Sequence, residues 1–400
     1  MSVPVRNQHT TGFAWGPRAG FVVMLAAVVA MLAGASAPSP FYPVLQADLG
    51  FGDAVLTTIF AVYVVTLLLT LLVTGGLSDH VGRRPVVVLG LAVLAVSMVG
   101  LAAADSVAML LLARSAQGVA AGLLLSSLSA AVVDLEPPDR PGSAPVANTV
   151  LPLAGLALGA LGAGVAIDVL SDPAPVVFGG FAVVYVLLAL AVLLGPESSP
   201  RVPGWRRSLV PAVSVPLGSR AMFVRALPAI VAGWATGGLY LSLVSPLVAR
   251  ELGGSSSAVQ GLAVALLMAS GSAGCFVVRR RAARQIAVLG TSALAVGTTL
   301  TVAALLAHTL VGFLLAVVVA GFGFGTAFLG VMQSLTPTAP PDERGALFSA
   351  VFTVSYLAFS VPAVILGLVV PAVGLLPATV GYAALVVLLS VVAVVLRWRD

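Results

Sequence analysis

The stretch GGLSDHVGRRP, residues 75–85, places an Asp, a His and two Arg within six positions (79–84) and brackets them with glycines. On both sides lie long runs of Val, Leu and Ala. Only 8% of the 400 residues are charged, 60% are hydrophobic, and the mean hydropathy is +1.14. A soluble domain carries roughly 25% charged residues. The flanking apolar runs therefore read as membrane-spanning helices, because about 20 residues cross a hydrocarbon core of about 30 Å. Residues 75–85 then form a short loop outside the bilayer. A strand barrel is excluded, since it needs short segments of alternating polarity and these runs are apolar on every face.

Working outward from that loop, hydropathy and helix breakers give twelve spans. The first six lie at about 20–45, 54–77, 86–104, 107–133, 144–167 and 175–195. The second six lie at about 222–249, 257–278, 286–307, 310–333, 346–370 and 372–396. A connection rich in Pro, Ser and Arg separates the sets. The expected organisation is an N-terminal six-helix bundle (1–195), a linker (196–220) and a C-terminal six-helix bundle (221–400), an all-α membrane protein.

There is no Lys; all 19 of the strongly basic residues are Arg. With the N-terminus in the cytoplasm, Arg6, Arg18, Arg83, Arg84, Arg140, the linker arginines, Arg279, Arg280, Arg281, Arg284 and Arg344 fall on the cytoplasmic side. Only Arg250 falls outside. That bias sets the expected orientation, with both termini cytoplasmic. The all-Arg, Ala- and Val-rich composition points to a GC-rich bacterial genome, and hence to the bacterial cytoplasmic membrane. GASA at 34–37 mimics a signal-peptide cleavage site.

The chain also meets itself at a shift of about 203 residues. DLG at 48–50 meets ELG at 251–253, Gly118 and Gly122 meet Gly321 and Gly325, and PPD at 137–139 meets PPD at 340–342. Two like-oriented halves are the repeat arrangement of transporters that hold their site near the midplane and open it alternately to each side. The first span has a partner in the seventh, so it is expected to be retained in the fold.

Other chemistries find little support. The single Cys275 excludes an internal disulfide and reads as a small buried residue. The high isoelectric point comes from arginines scattered over short loops, not from a nucleic-acid-binding face. GFGFG at 321–325 has no strand before it, so helix packing explains it better than nucleotide binding. There is no metal-ligand cluster, no nucleophile with a base and an orienting acid, no P-loop and no cofactor motif. Neither enzyme nor receptor is expected.

Gly75, Leu77, Asp79, Gly82, Arg83 and Arg84 resemble the G-x-L-x-D-x-x-G-R-R signature of the major facilitator superfamily, with His80 where Arg or Lys is commoner. The resemblance implies a twelve-helix transporter whose charged loop latches the halves together on the inside. Gly75 would allow close helix approach. Asp79 would face the positive end of the eleventh helix, and Arg83 or Arg84 would pair with Asp134 or Glu136. Arg114, Gln117, Gly118 and Ala121 resemble the R-x-x-Q-G-x-x-A motif of the fourth helix, which implies a role in proton movement or in shaping the pathway. Gly34, Pro40 and Pro43 resemble a first-helix pattern of the twelve-span drug/proton antiporters. Gly155, Gly159 and Gly164 match part of that group's fifth-helix motif, with Ala160 where the group has Pro. Small-residue helix packing accounts for these glycines equally well.

Arg114 is the one clearly intramembrane charge and a functional candidate on that ground. Carbonyls of Gly34, Ser36 and Ser39, freed by Pro38, Pro40 and Pro43, are candidate partners; the alternative is a side chain reaching the outer surface. Tyr42, Asn148, Trp234, Tyr240, Phe324, Phe328 and Tyr356 are the candidates for a substrate cavity. An aromatic, largely neutral pocket suits apolar or weakly cationic compounds. The expected function is export of a small amphiphilic molecule by a monomer in contact with membrane lipid, with protons as a possible counter-ion. Uptake of an organic nutrient is the alternative.

Overall fold

The computed structural model describes residues 16–199, 201–340 and 343–398. Arg6, Arg399 and two residues of the second PPD (341 and 342) lie outside the described residues. Among the described residues, twelve helices are long and apolar enough to cross a membrane. They are α1 (Arg18–Leu49), α2 (Asp53–Thr74), α3 (Arg83–Ala102), α4 (Val107–Asp134), α5 (Ser143–Val169) and α6 (Pro173–Leu193). The second set is α7 (Leu217–Ser242), α8 (Ser257–Val278), α9 (Ala283–Leu306), α10 (Leu310–Thr338), α11 (Arg344–Val373) and α12 (Leu375–Leu396). A further helical piece, Val244–Glu251, continues α7 past a break at Leu243.

The duplication is visible in the packing. In lipid there is no hydrophobic drive to bring helices together, so contact depends on how closely backbones can approach. A Cβ on Gly118 would sit 2.3 Å from the Tyr63 carbonyl, and one on Gly122 would sit 2.7 Å from that of Leu67, so α4 lies directly on α2. In the second set, a Cβ on Gly321 would sit 2.3 Å from the Leu267 carbonyl, and one on Gly325 would sit 2.5 Å from that of Gly271, so α10 lies on α8 in the same way. A second matched device uses tyrosines. Tyr185 of α6 donates to the Ala30 carbonyl of α1 at 2.9 Å, and Tyr382 of α12 donates to the Ala235 carbonyl of α7 at 2.8 Å. Outward faces carry Leu112, Val96 and Leu315, large apolar side chains suited to lipid.

α1 is two helices in series, Pro17–Ser36 and Pro38–Leu49, parted at Ala37. Pro38 has no N–H to close the bond to the carbonyl four residues back. That places an unpaired carbonyl, Gly34, inside the first bundle, where the functional polar groups gather.

Candidate functional site

Successive spans alternate direction, so the bundles share two ends: an arginine-rich end with the Asp79 loop, and an opposite end with Arg250. At the Arg250 end the bonds run between bundles. Arg250 Nη1 donates to Asp53 Oδ2 at 2.8 Å, and Gln46 Nε2 donates to Asp53 Oδ1 at 2.9 Å. Arg250 Nη2 also donates to Gln46 Oε1 at 3.4 Å. Asp168, at the end of α5, accepts from the Ser256 hydroxyl and from the backbone N–H groups of Ser257 (2.9 Å) and Ala258 (3.0 Å). The carboxylate thus caps the first turn of α8, where free N–H groups and the helix dipole favour negative charge. Gly164 lets α5 lie against Ser257, and Gly367 lets α11 lie against Asp53 and Thr57.

At the arginine-rich end the side-chain bonds of the Asp79 loop stay within the first bundle and the linker, while the linker's Ser214 N–H donates to the Ala346 carbonyl of α11 at 3.4 Å. Arg83 pairs with Asp79, reaches Asp134 Oδ2 at 3.1 Å through Nε, and donates to the Ser78 hydroxyl at 2.7 Å. Backbone N–H groups of Arg83 and Arg84 donate to Glu197 Oε1 at 2.8 and 3.4 Å. Gly82 adopts φ +118°, a conformation open to glycine, and a Cβ there would fall 2.4 Å from Glu197 Oε2. The Arg84 side chain donates to the carbonyl of Gly195 at 3.3 Å.

This differs from the expected latch in three respects. Asp79 pairs with Arg83 rather than facing α11. Gly75 meets only Leu71 of its own segment, and Gly345 at the start of α11 has open space where a Cβ would go. The physical reason is the same for all: in this conformation the bundles are held together at the Arg250 end, and α11 lies away from the loop. Glu136 is not a partner of the arginines either. It accepts from the backbone N–H of Ala144 (2.7 Å) and the hydroxyl of Ser143 (3.2 Å) at the start of α5. The Ala144 N–H, with lesser help from Ser143 and Gly142, holds the Glu136 carboxyl below its ordinary range.

Arg114 is buried, with 2% exposure, and so does not reach the surface. It donates to Gln117 Oε1 and, through Nη1, to the Ala35 carbonyl at 3.4 Å. Gln117 Nε2 donates to the Gly34 carbonyl, the one freed by Pro38, at 2.8 Å. The guanidinium stands 4.4 Å over the ring of Tyr63. Leaving water costs an ion on the order of several kcal/mol. Carbonyl dipoles and a cation–π contact of about 2 kcal/mol offset part of that. Of the three carbonyls expected from the prolines, only Gly34 is engaged, and Ala35 takes the place of Ser36 and Ser39. The Ser36 hydroxyl instead donates to the Leu156 carbonyl of α5 at 2.7 Å.

Between the bundles lies a cavity of about 480 Å³. It is lined by α1, α2, α4 and α5 from one half and α7, α8, α10 and α11 from the other. The first half contributes mostly aliphatic side chains, Met31, Leu67, Leu125 and Leu153 among them, with Tyr63, Ser126, Ser129, Asn148 and Thr149 as its polar groups. The second contributes an aromatic wall. Trp234 meets Phe328, Tyr356 and Phe359 edge-on, with centroids 5.4, 5.0 and 5.5 Å away. No Asp, Glu, Lys, Arg or His is among the lining residues described.

Five of the seven cavity candidates read from the sequence, Asn148, Trp234, Phe324, Phe328 and Tyr356, line this space. Tyr42 and Tyr240 do not. Tyr42 is buried inside the first bundle beyond the α1 break, and Tyr240 stacks on Phe313 at 6.5 Å inside the second. Bulk and aromaticity alone cannot tell a cavity-facing ring from one that fills a bundle core. Tyr63, Phe359 and Cys275 line the cavity but were not singled out for it. The signal for Tyr63 was its helical phase relative to Phe60, which needs the α2–α11 pairing to interpret.

The chain belongs to the Major Facilitator Superfamily, whose sequence profile matches residues 23–363. Its twelve long apolar helices suit the multi-pass membrane fold of that family. A stretch of 153 residues is 31% identical to an uncharacterized MFS-type transporter of Mycobacterium tuberculosis, covering 36% of this chain and 25% of that protein. A stretch of 80 residues is 34% identical to the multidrug resistance protein MdtL of Shewanella oneidensis, covering 20% of each. The chain thus spans a quarter or less of the curated relatives it matches. Among solved structures, the xylose transporter XylE from E. coli, in a partially occluded inward open conformation, superposes with a TM-score of 0.75 at 12% identity, over 96% of this chain and 97% of that one.

Proposed function

We propose that this chain exports a small amphiphilic organic molecule by alternating access, in exchange for protons, from the cytoplasm of a bacterium across its inner membrane. The observation that carries the reading is the uncharged, aromatic cavity of about 480 Å³ between two bundles whose cross-bundle carboxylate bonds lie at the Arg250 end. A sugar-sized polyol would need many hydrogen-bonding groups on the walls. These walls are mostly apolar, which favours an amphiphile over a polar nutrient. The partial likeness to a multidrug resistance protein points the same way.

In this reading the bundles are residues 1–195 and 221–400, joined by a cytoplasmic linker at 196–220. The arginine-rich end and both termini face the cytoplasm, the protein works as a monomer, and this conformation faces inward. Gly75, Asp79, Gly82, Arg83, Arg84 and Asp134 form the latch that engages α11 when the inner side closes. Arg114 and Gln117, locked to the α1 break, couple the pathway to protons. Transport of a compound panel into everted vesicles, with and without an imposed proton gradient, tests the assignment. Accumulation of apolar or weakly cationic aromatic compounds that collapses with the gradient is the expected outcome. Accumulation indifferent to the gradient for every compound removes the antiport assignment, and uptake of polyols in place of aromatics removes the substrate class.

A further inference from the structure

The cavity has few polar groups, and two of them face each other from opposite bundles. Phe60 of α2 and Phe359 of α11 touch with centroids 5.1 Å apart, which fixes how these two helices meet. The helices run in opposite directions. Tyr63 is one turn after Phe60 and Tyr356 one turn before Phe359, so both lie one turn farther from the Arg250 end, on the same facing surfaces. Both line the cavity and are 7% and 6% exposed. Neither hydroxyl has a hydrogen-bond partner among the described residues. The contrast with Tyr185 and Tyr382 is direct, since each of those donates to a backbone carbonyl. A phenol that lines the cavity and donates to no protein group is free to donate to whatever enters it. The guanidinium of Arg114 over the Tyr63 ring draws electron density from it and strengthens the O–H as a donor.

We infer that Tyr63 and Tyr356 are the specificity-determining donors of the cavity, and that they bind an uncharged aromatic substrate bearing a hydrogen-bond acceptor such as a carbonyl. The inference rests on the cavity being the substrate site. The aromatic wall around Trp234 takes the rings. The two phenols take the acceptor, one from each bundle, so a single ligand atom bridges the halves. Without a carboxylate among the lining residues, a formal positive charge on the ligand meets only ring faces, whereas an acceptor meets two phenol donors.

The test uses the full-length protein in detergent and two tritiated probes, 9-fluorenone and fluorene, which share their rings and differ by one carbonyl. The expected result is a roughly tenfold preference for fluorenone in the wild type. That preference falls to about threefold in Tyr63→Phe or Tyr356→Phe and vanishes in the double variant, while fluorene affinity is unchanged. Trp234→Leu should weaken both probes alike. Equal binding of the two probes by the wild type overturns the inference, as does a preference that survives the double variant. In either case a loss of binding in Trp234→Leu leaves the cavity standing as the substrate site. Indifference of both probes to Trp234→Leu overturns the cavity reading and the inference with it.

Discussion

The two ends of the molecule use the same chemistry to opposite purposes. At the arginine-rich end, Arg83, Asp79, Asp134 and Glu197 bind one another within the first bundle and the linker. At the Arg250 end, Asp53 and Asp168 reach across to the second bundle. Charge number does not predict which end is fastened. The carboxylates among the arginines bind within their own half, whereas at the end with one arginine acid and donor sit on different bundles. A carrier that rocks must exchange these roles, so the closed end has to be held by bonds weak enough to break.

Three perturbations sharpen that contrast. The largest effect is expected from Gly164→Leu. A Cβ there would meet the Ser257 carbonyl at 2.4 Å, and backbone cannot yield as a side chain can. Overpacking of this kind costs about 3 kcal/mol. A fall in melting temperature and loss of transport should follow, whereas Gly345→Ala, in open space at the other end, leaves the melting temperature in place. Equal effects at the two ends would erase the distinction.

Next is Arg250→Ala. It leaves the buried Asp53 carboxylate with Gln46 alone, and since Arg250 is half-exposed the cost lies between the surface and buried limits, about 2 kcal/mol. Asp53→Asn made in the same chain should recover part of it, a coupling that thermal denaturation of the four-member mutant cycle reads directly. Additive losses would mean that the pair does not hold the bundles.

The smallest effect belongs to Glu136, a half-buried cap within the first bundle. Its carboxyl is held below the ordinary value of 4.5, chiefly by the Ala144 N–H. The stability it supplies is therefore complete above that ordinary value and is lost as pH falls through the lower folded one. The melting temperature of the wild type should exceed that of Glu136→Gln at pH 6, and the difference should close on acidification toward pH 3. A difference that persists in acid would show that the cap works without its charge.

How much of this was legible in the sequence follows from distance along the chain. The twelve spans are local hydropathy, and the duplication shows in loops where chance matches are rare. Arg114 and the freed Gly34 carbonyl were legible because a charge in an apolar run and a proline in a helix are both local signals, but that Gln117 takes Gly34 and Arg114 takes Ala35 depends on how α4 meets α1. The cross-bundle bonds were not. Arg250 and Asp53 are 197 residues apart, and Asp168 and Ser257 are 89 apart, with no periodic pattern joining them. Arg250 did leave one trace, as the lone arginine on the acidic side of the chain. The cavity was half legible: aromatic bulk pointed to Trp234, Phe328 and Tyr356, yet it equally pointed to Tyr42 and Tyr240, which fill the bundle interiors. Glu197 was read as part of a linker, and only the turn at Gly82 shows why it sits there.

The central claim is that the bundles rock about the cavity, one end opening as the other closes. Electron–electron distance measurements on spin-labelled pairs test it most directly, in a chain with Cys275 replaced by Ser. One pair, Arg140 with Glu343, spans the arginine-rich end, and the other, Asp105 with Ala307, spans the Arg250 end. On addition of a transported compound or a change of pH, the account predicts that one distance distribution lengthens while the other shortens. Two distributions that stay fixed, or that move in the same direction, would contradict it.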